Sequence, residues 1–116
     1  LGDVYKRQVY YKDGMEACLR IMKKKPDGIF CAAGDTAAIG FMKQAALLGI
    51  RMPREAAVIG YDDIEMAEAV TPELTTIRQP VMRAGEAALE TAVKMINKED
   101  VSDIVFEPEL IARNSA

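Results

Sequence analysis

Residues 57–80 read AVIGYDDIEMAEAVTPELTTIRQP, and this stretch decides the fold of the chain. The apolar run Ala57 to Tyr61 is typical of a strand that is covered on both faces. Asp62-Asp63 follows it at once. After a short helical turn and a break at Thr71-Pro72, a second strand ends at Arg78-Gln79-Pro80. Because ligands bind beyond the carboxyl ends of strands in open α/β sheets, we expect a small-molecule site where these two strands end.

Strands and helices alternate on either side of this stretch as well, which predicts an α/β fold with a parallel sheet, right-handed crossovers and flanking helices. Apolar residues at helical spacing predict helices at Met15 to Lys24, Asp35 to Leu48, Ile64 to Ala69 and Pro80 to Ile96. Short apolar runs predict strands at Gly28 to Ala33, Ala57 to Tyr61 and Leu74 to Ile77, and the first of these also suits a strand that is covered on both faces. Extended segments are expected at Ile104 to Phe106 and Leu110 to Ala112, and Val9 to Tyr11 is compatible with the end of another strand.

The length and the composition of the chain limit the possible functions. A chain of 116 residues allows one ordinary domain at most, and its net charge of -3 gives no electrostatic signal for a partner. The basic cluster Lys23-Lys24-Lys25 is interpreted as the solvated end of a helix, so we do not expect this stretch to bind nucleic acid by itself. No apolar run reaches the roughly 18 residues that a membrane span needs, so no membrane association is expected.

The reactive residue types are few. The chain has no histidine, which removes the usual general base and the usual metal ligand, and we expect neither catalysis nor a metal nor a cofactor. Cys18 and Cys31 fall among apolar positions and are predicted to be buried free thiols. Free thiols favour a reducing compartment, so a cytoplasmic protein is expected.

Asp62 and Asp63 allow three interpretations. As a catalytic pair they would need to face one bond, but neighbouring residues of a strand point to opposite faces. In a purely structural interpretation, Asp63 caps the helix at Ile64 and Asp62 is solvated. We favour a third, in which Asp63 is the cap and Asp62 binds a ligand, since an ionised carboxylate accepts two hydroxyl hydrogen bonds from a polyol or a ribose.

Two further positions are ligand candidates. Gly34-Asp35 follows a strand and precedes a helix, a place that favours polar ligand groups, although Asp35 is equally suited to be a simple N-cap. Gln79 ends the third strand with an amide that both donates and accepts, although it also suits a plain loop position. Arg78 is expected to form a surface or interdomain ion pair instead.

The order and spacing of several motifs resemble the effector-binding domain of LacI/GalR-type bacterial transcription regulators. The resemblance covers Tyr10 to Ala116, and Leu74-Thr75-Thr76-Ile77-Arg78-Gln79-Pro80 carries it most specifically. The other matching motifs are Pro26-Asp27-Gly28-Ile29-Phe30-Cys31-Ala32, Ala38-Ile39-Gly40, Val58-Ile59-Gly60-Tyr61-Asp62-Asp63, Thr71-Pro72-Glu73 and Pro108-Glu109-Leu110-Ile111-Ala112-Arg113-Asn114-Ser115.

The resemblance implies the periplasmic-binding-protein type I fold, in which two α/β lobes close on an effector such as a sugar or a purine. It implies a homodimer that binds operator DNA through an N-terminal helix-turn-helix, which is expected to lie outside residues 1–116. Since the chain begins at Leu1, we expect a longer protein, with residues 1–8 an irregular or non-native leader. Residues 9–116 would be a partial effector-binding and dimerisation domain, mostly its C-terminal lobe, with residues 82–104 belonging to the other lobe.

Single residues are assigned by position in the same resemblance. Asp62 resembles the effector-binding aspartate of the family and Gln79 a cleft residue at the hinge. The family commonly has Asn where this chain has Gly34, which removes an amide from the cleft. Ile39, Met42 and Val70 resemble the dimer face.

From the sequence alone, two alternative functions stay open. A sugar-binding protein of an ABC importer has the same fold, although free cysteines and the motif ending at Pro80 favour the regulator. The other alternative is an enzyme of α/β type. The residues do not define the effector, the operator, or whether the effector induces or co-represses.

Overall fold

A computed structural model of the protein describes residues 10–116, so the predicted leader at residues 1–8 lies outside the described part. The described residues form two compact units. One comprises residues 10–78 and Leu110–Ala116, and the second comprises Gln79–Glu109. The elements, in chain order, are α1 (Tyr11–Ile21), a 3₁₀ turn (Met22–Lys24), β1 (Gly28–Phe30), α2 (Asp35–Leu47), β2 (Ala57–Tyr61), α3 (Met66–Ala69), β3 (Thr75–Arg78), α4 (Val81–Ile96) and β4 (Glu109–Ile111).

The strands of the described residues form one sheet in the order β1-β2-β3-β4. β1 pairs in parallel with β2, with Gly28 opposite Ala57, and β2 pairs in parallel with β3, with Ile59 opposite Thr75. The predicted α/β fold with a parallel sheet flanked by helices is therefore confirmed. This order brings the carboxyl ends of β2 and β3 side by side.

The core of the first unit lies where helices α1 and α2 pack against the sheet. Its largest fully buried apolar side chains are Phe41 from α2, Val58 from β2 and Leu74, which precedes β3. Burying side chains of this size stabilises a fold by about 1.5–3 kcal/mol each. Cys18 is fully buried in the same cluster, as predicted, while Cys31 is half-buried; both are free thiols.

Three local predictions were wrong. Tyr11 does not close a strand but begins α1, where the backbone N–H of Tyr10 donates to the Asp13 carboxylate over 2.6 Å. The strand at Gly28 ends at Phe30 and is not covered on both faces, since Phe30 is 58% exposed. Residues 104–106 form no strand.

The second unit contains α4 and the segment that follows it. The Arg83 guanidinium lies 5.6 Å from the centre of the Phe106 ring, which fixes this segment beside the helix. α4 has no buried residue within this chain, and its apolar side chains are exposed. The assignment of residues 82–104 to another lobe stays a prediction. Within residues 10–116, no helix combines the length and the apolar character needed to cross a bilayer.

Candidate functional site

The loop that follows β2 has an unusual backbone. Asp62 has φ 104° and Asp63 has φ 52°, although neither residue is glycine. Sparsely populated backbone conformations cost on the order of 1–3 kcal/mol each and persist only where the surroundings hold them. Such strain concentrates at functional sites, so the loop that carries Asp62 is the first candidate.

Gly34 lies against the carboxylate of Asp62. A Cβ built at Gly34 would come 3.1 Å from Oδ2 of Asp62, so the structure brings together two of the residues that the sequence singled out. The backbone of Gly34 has φ 107° and ψ 167°, a region that only glycine adopts readily. Glycine therefore leaves room for the Asp62 side chain, which is exposed at the end of the sheet.

Asp35 is a buried support for this loop and not the N-cap of α2. The N-cap position is occupied by Gly34. The Asp35 side chain accepts a hydrogen bond from Oγ1 of Thr76 at 2.6 Å and another from the backbone N–H of Ile64 at 2.9 Å. Asp35 is only 1% exposed, and Gly60 admits its carboxylate because a Cβ there would overlap Oδ1.

Both oxygens of Asp35 are thus engaged within the protein. The carboxylate joins the start of α2 to β3 and to the loop after β2, which explains how the loop keeps its backbone conformation. A direct contact of Asp35 with a ligand is not supported by this geometry, and its predicted role at the site is better described as positioning.

Asp63 does not cap the helix after it, contrary to the sequence-based prediction. The carboxylate accepts a hydrogen bond from Nε of Arg78 at 2.6 Å, and its Oδ1 forms an ion pair with Nη2 of Arg113 at 2.8 Å. The Asp63 side chain is 6% exposed. Burial raises the pKa of Asp63, but the ion pair with Arg113 and the hydrogen bond from Arg78 outweigh this and hold the pKa below its ordinary value.

Arg113 is a central residue of the site that the sequence reasoning missed. Its guanidinium contacts Asp63, donates from Nη2 to Glu68 at 2.8 Å and donates from Nη1 to the backbone carbonyl of Leu74 at 2.9 Å. Burial lowers the pKa of Arg113, but the hydrogen bonds to Asp63 and Glu68 raise it above its usual value overall. The available signal was a lone arginine directly after the apolar run Leu110-Ile111-Ala112.

Ser115 fastens the end of the chain to the sheet. Its hydroxyl donates to the backbone carbonyl of Val58 at 2.6 Å and accepts from the backbone N–H of Thr75 at 2.8 Å. The backbone N–H of Arg113 donates to Oγ1 of Thr75 at 2.9 Å. The C-terminal segment is therefore hydrogen-bonded near the amino ends of β2 and β3, and the Arg113 side chain extends from it to Asp63 in the loop after β2.

Gln79 follows β3 directly and is exposed, as a ligand-binding residue requires. It is the first residue of the second unit, and its backbone carbonyl accepts from the N–H of Val81 at 2.9 Å. Its role as a ligand residue stays a prediction.

The three predicted dimer residues line one surface groove of the first unit. The groove has a volume of about 370 Å³ and is formed by α1, α2 and the end of α3. Ile39 and Val70 are half-buried, whereas Met42 is only 6% exposed and belongs to the core as well. The full set of lining residues is Tyr11, Ile39, Met42, Lys43, Ala46, Val70 and Thr71.

Residues 10–116 offer few groups for metal binding or nucleophilic catalysis. No three cysteine or carboxylate side chains of this part gather into a set that could hold a metal ion. Burial, with a smaller effect of the Asp35 charge, raises the pKa of Cys31 to about 11, so this thiol is protonated at neutral pH and is a poor nucleophile. The arrangement is suited to hydrogen bonding with a neutral polar ligand.

Comparison with known proteins places the chain in a family. The sequence profile of the family described as "Periplasmic binding protein-like domain" matches residues 2–116. The chain belongs to this family. Its relatives are LacI-type transcription regulators, as the sequence motifs predicted.

The chain is 43% identical over 96 residues to the HTH-type transcriptional repressor PurR of Vibrio parahaemolyticus, covering 81% of the chain. It spans 28% of the length of that repressor. Among solved structures it is similar to a LacI family transcriptional regulator from Enterococcus faecalis with bound ribose, at 33% identity and a TM-score of 0.82; the match covers 92% of this chain and 40% of that one.

The transcription regulator CcpA of Lactococcus lactis has the same fold, with a TM-score of 0.86 at 24% identity, covering 92% of this chain and 40% of that structure. The chain therefore spans less than half of the length of each of these three relatives.

Proposed function

We propose that the chain is part of the effector-sensing domain of a LacI-type DNA-binding transcription regulator. In the full-length protein it binds a small hydroxyl-bearing effector, such as a sugar or a nucleoside, and thereby changes the affinity for operator DNA. The observation that carries this proposal is Asp62, an exposed carboxylate held by a strained loop at the carboxyl end of a central parallel strand.

Asp62 has the chemistry that hydroxyl recognition requires. An ionised carboxylate accepts two or more hydrogen bonds, and a hydrogen bond to a charged group contributes about 1.5–3 kcal/mol. Gly34 leaves room for the Asp62 side chain, while Asp35 and Asp63 hold the loop in place through Thr76, Arg78 and Arg113. A loop that is fixed before the ligand arrives loses little entropy on binding.

The groove lined by Ile39, Met42 and Val70 supports the second part of the proposal, that the regulator is a homodimer. Half-buried apolar side chains beside a groove are the pattern that a partner subunit covers. A dimer suits a DNA-binding protein, because two identical readers then contact a symmetric operator.

The proposed function is tested first by reading the coding sequence upstream of this chain. A helix-turn-helix segment supports the regulator, whereas a secretory signal peptide supports an importer component and contradicts the proposal. The full-length protein is then screened by thermal unfolding with ribose, lactose, cellobiose, adenosine and guanosine. A ligand that binds only the folded state raises the unfolding temperature. Turnover of one of these compounds would instead indicate an enzyme.

A further inference from the structure

One carboxylate touches both segments of chain that connect the two units. The chain leaves the first unit after Arg78 and re-enters it at Leu110. Arg78 is the last residue of β3, and its Nε donates to Oδ2 of Asp63 at 2.6 Å. Arg113 follows β4, and its Nη2 lies 2.8 Å from Oδ1 of the same side chain. The outgoing and the returning segments are therefore held to one residue.

That residue is the direct neighbour of Asp62 in the strained loop. The backbone N–H of Asp63 faces Oγ1 of Thr76 at 3.4 Å, and the next N–H, of Ile64, donates to Asp35. Asp63 has φ 52°, its side chain is almost excluded from water, and it joins the backbone of Asp62 to both arginines.

Glu68 also pairs with Arg113 and serves as a comparison for Asp63. It pairs with the same guanidinium nitrogen of Arg113, at 2.8 Å, but it lies in α3 and is 69% exposed. Removal of its charge weakens one contact of Arg113 and leaves the loop of Asp62 tied to both segments. Exposed ion pairs of this kind contribute little to stability.

We infer that Asp63 is a positioning residue that transmits effector binding at Asp62 to the two segments connecting the units. This inference rests on the proposed function, since it takes Asp62 as the effector contact. It assigns to Asp63 no contact with the effector itself.

The first arm of the test needs no ligand. Amide hydrogen exchange is measured in the full-length protein with Asp63→Asn and, as a matched carboxylate-to-amide control, with Glu68→Gln. Asparagine keeps the shape and tolerates positive φ. We expect Asp63→Asn to speed exchange at the backbone N–H groups of Ile64 and Arg113 together, and Glu68→Gln to change neither. Unchanged exchange in Asp63→Asn overturns the inference.

The second arm uses ribose, or the compound selected by the thermal screen if ribose is not selected. We expect ribose to slow exchange across Leu110–Ala116 in the unmodified protein. In Asp63→Asn, at least about half of the ribose-induced protection of this segment should be lost at a ribose concentration that saturates the variant. Glu68→Gln should retain both the affinity and the protection.

The outcomes separate the inference from the proposed function. If Asp63→Asn keeps the full protection, or loses ribose binding as completely as Asp62→Ala does, Asp63 is not a transmitting residue. If the unmodified protein responds to no compound, the proposed function fails, and the ligand-free arm alone decides whether Asp63 ties the segments. If Asp63→Asn does not fold, Arg78→Gln is used in its place, because the Arg78 side chain is 49% exposed and its replacement should be tolerated. Amide hydrogen exchange must then become faster in β3 and at Ile64.

Discussion

Oδ2 of Asp62 lies so close to Gly34 that a methyl group on the glycine would come within 3.1 Å of it. Both residues have a positive φ, 107° for Gly34 and 104° for Asp62. The loop after β2 and the start of α2 are therefore in close contact, and the room for the Asp62 carboxylate depends on the absence of a side chain at residue 34.

This relationship predicts that Gly34 tolerates no side chain. Gly34→Ala and Gly34→Asn should each lower the stability of the full-length protein by about 1–3 kcal/mol, because the backbone at this position is nearly restricted to glycine. Thermal or denaturant unfolding measures the effect. Gly28→Ala is the matched control, since a Cβ there meets nothing within 4 Å. Wild-type stability of Gly34→Asn would show that the loop is not constrained as described.

The contributions of Asp35 and Thr76 to the free energy of unfolding should be coupled. Asp35→Ala leaves the Thr76 hydroxyl and the Ile64 N–H without their acceptor, and an unsatisfied buried group costs about 1–3 kcal/mol. Thr76→Val in the Asp35→Ala background should then cost less than Thr76→Val alone, since its partner is already missing. A double-mutant cycle from urea unfolding measures this coupling. Additive effects would contradict the hydrogen bond at 2.6 Å. Asp27→Ala, at an exposed position, is the control.

The ion pairs of Asp63 predict how its contribution to stability depends on pH. The folded-state pKa lies below the unfolded value of about 3.9, so the stabilisation is present above that value and is lost as pH falls through the folded pKa. The difference in the free energy of unfolding between wild type and Asp63→Asn should be constant from about pH 6 to pH 8. It should shrink below about pH 4. Chemical unfolding at several pH values measures this difference. If the difference in the free energy of unfolding grows as the pH falls, the predicted sign of the pH dependence is wrong.

The dimer proposal predicts that a charge in the groove separates the subunits. Ile39→Asp places a carboxylate where an apolar contact is expected, and burying an unpaired charge is costly enough to favour monomers. Analytical ultracentrifugation of the full-length protein checks this. Leu47→Asp is the control, because Leu47 is an exposed leucine of the same helix outside the groove. Dimers of Ile39→Asp at micromolar concentration would exclude this groove as the interface.

Much of the fold followed from local patterns. Ala57 to Tyr61 is a strand with the predicted bounds, and the helix after Pro80 begins at Val81 and ends at Ile96 as expected. Those segments combine strong periodicity with clear start and stop residues. The exposure of Phe30 was not predicted, because an apolar run does not show whether other segments of the same chain cover its side chains.

The site was harder to predict, because it depends on contacts between residues distant in sequence. Asp35 and Asp63 both have the local signature of helix caps, and each instead binds a partner from another strand: Thr76 for the first, Arg78 and Arg113 for the second. Arg113 lies 50 residues after Asp63 in the chain. No spacing rule connects them, so only the fold brings them together.

The central claim is that Asp62 contacts the effector, and calorimetric titration of full-length Asp62→Ala against wild type tests it most directly. The titrant is the compound that the thermal screen selects from the sugars and nucleosides. Loss of hydrogen bonds to a charged acceptor predicts a Kd weaker by more than about tenfold with an unchanged cooperative unfolding transition. Asp27→Ala should bind as wild type does. An Asp62→Ala titration that superimposes on the wild-type curve would contradict the account.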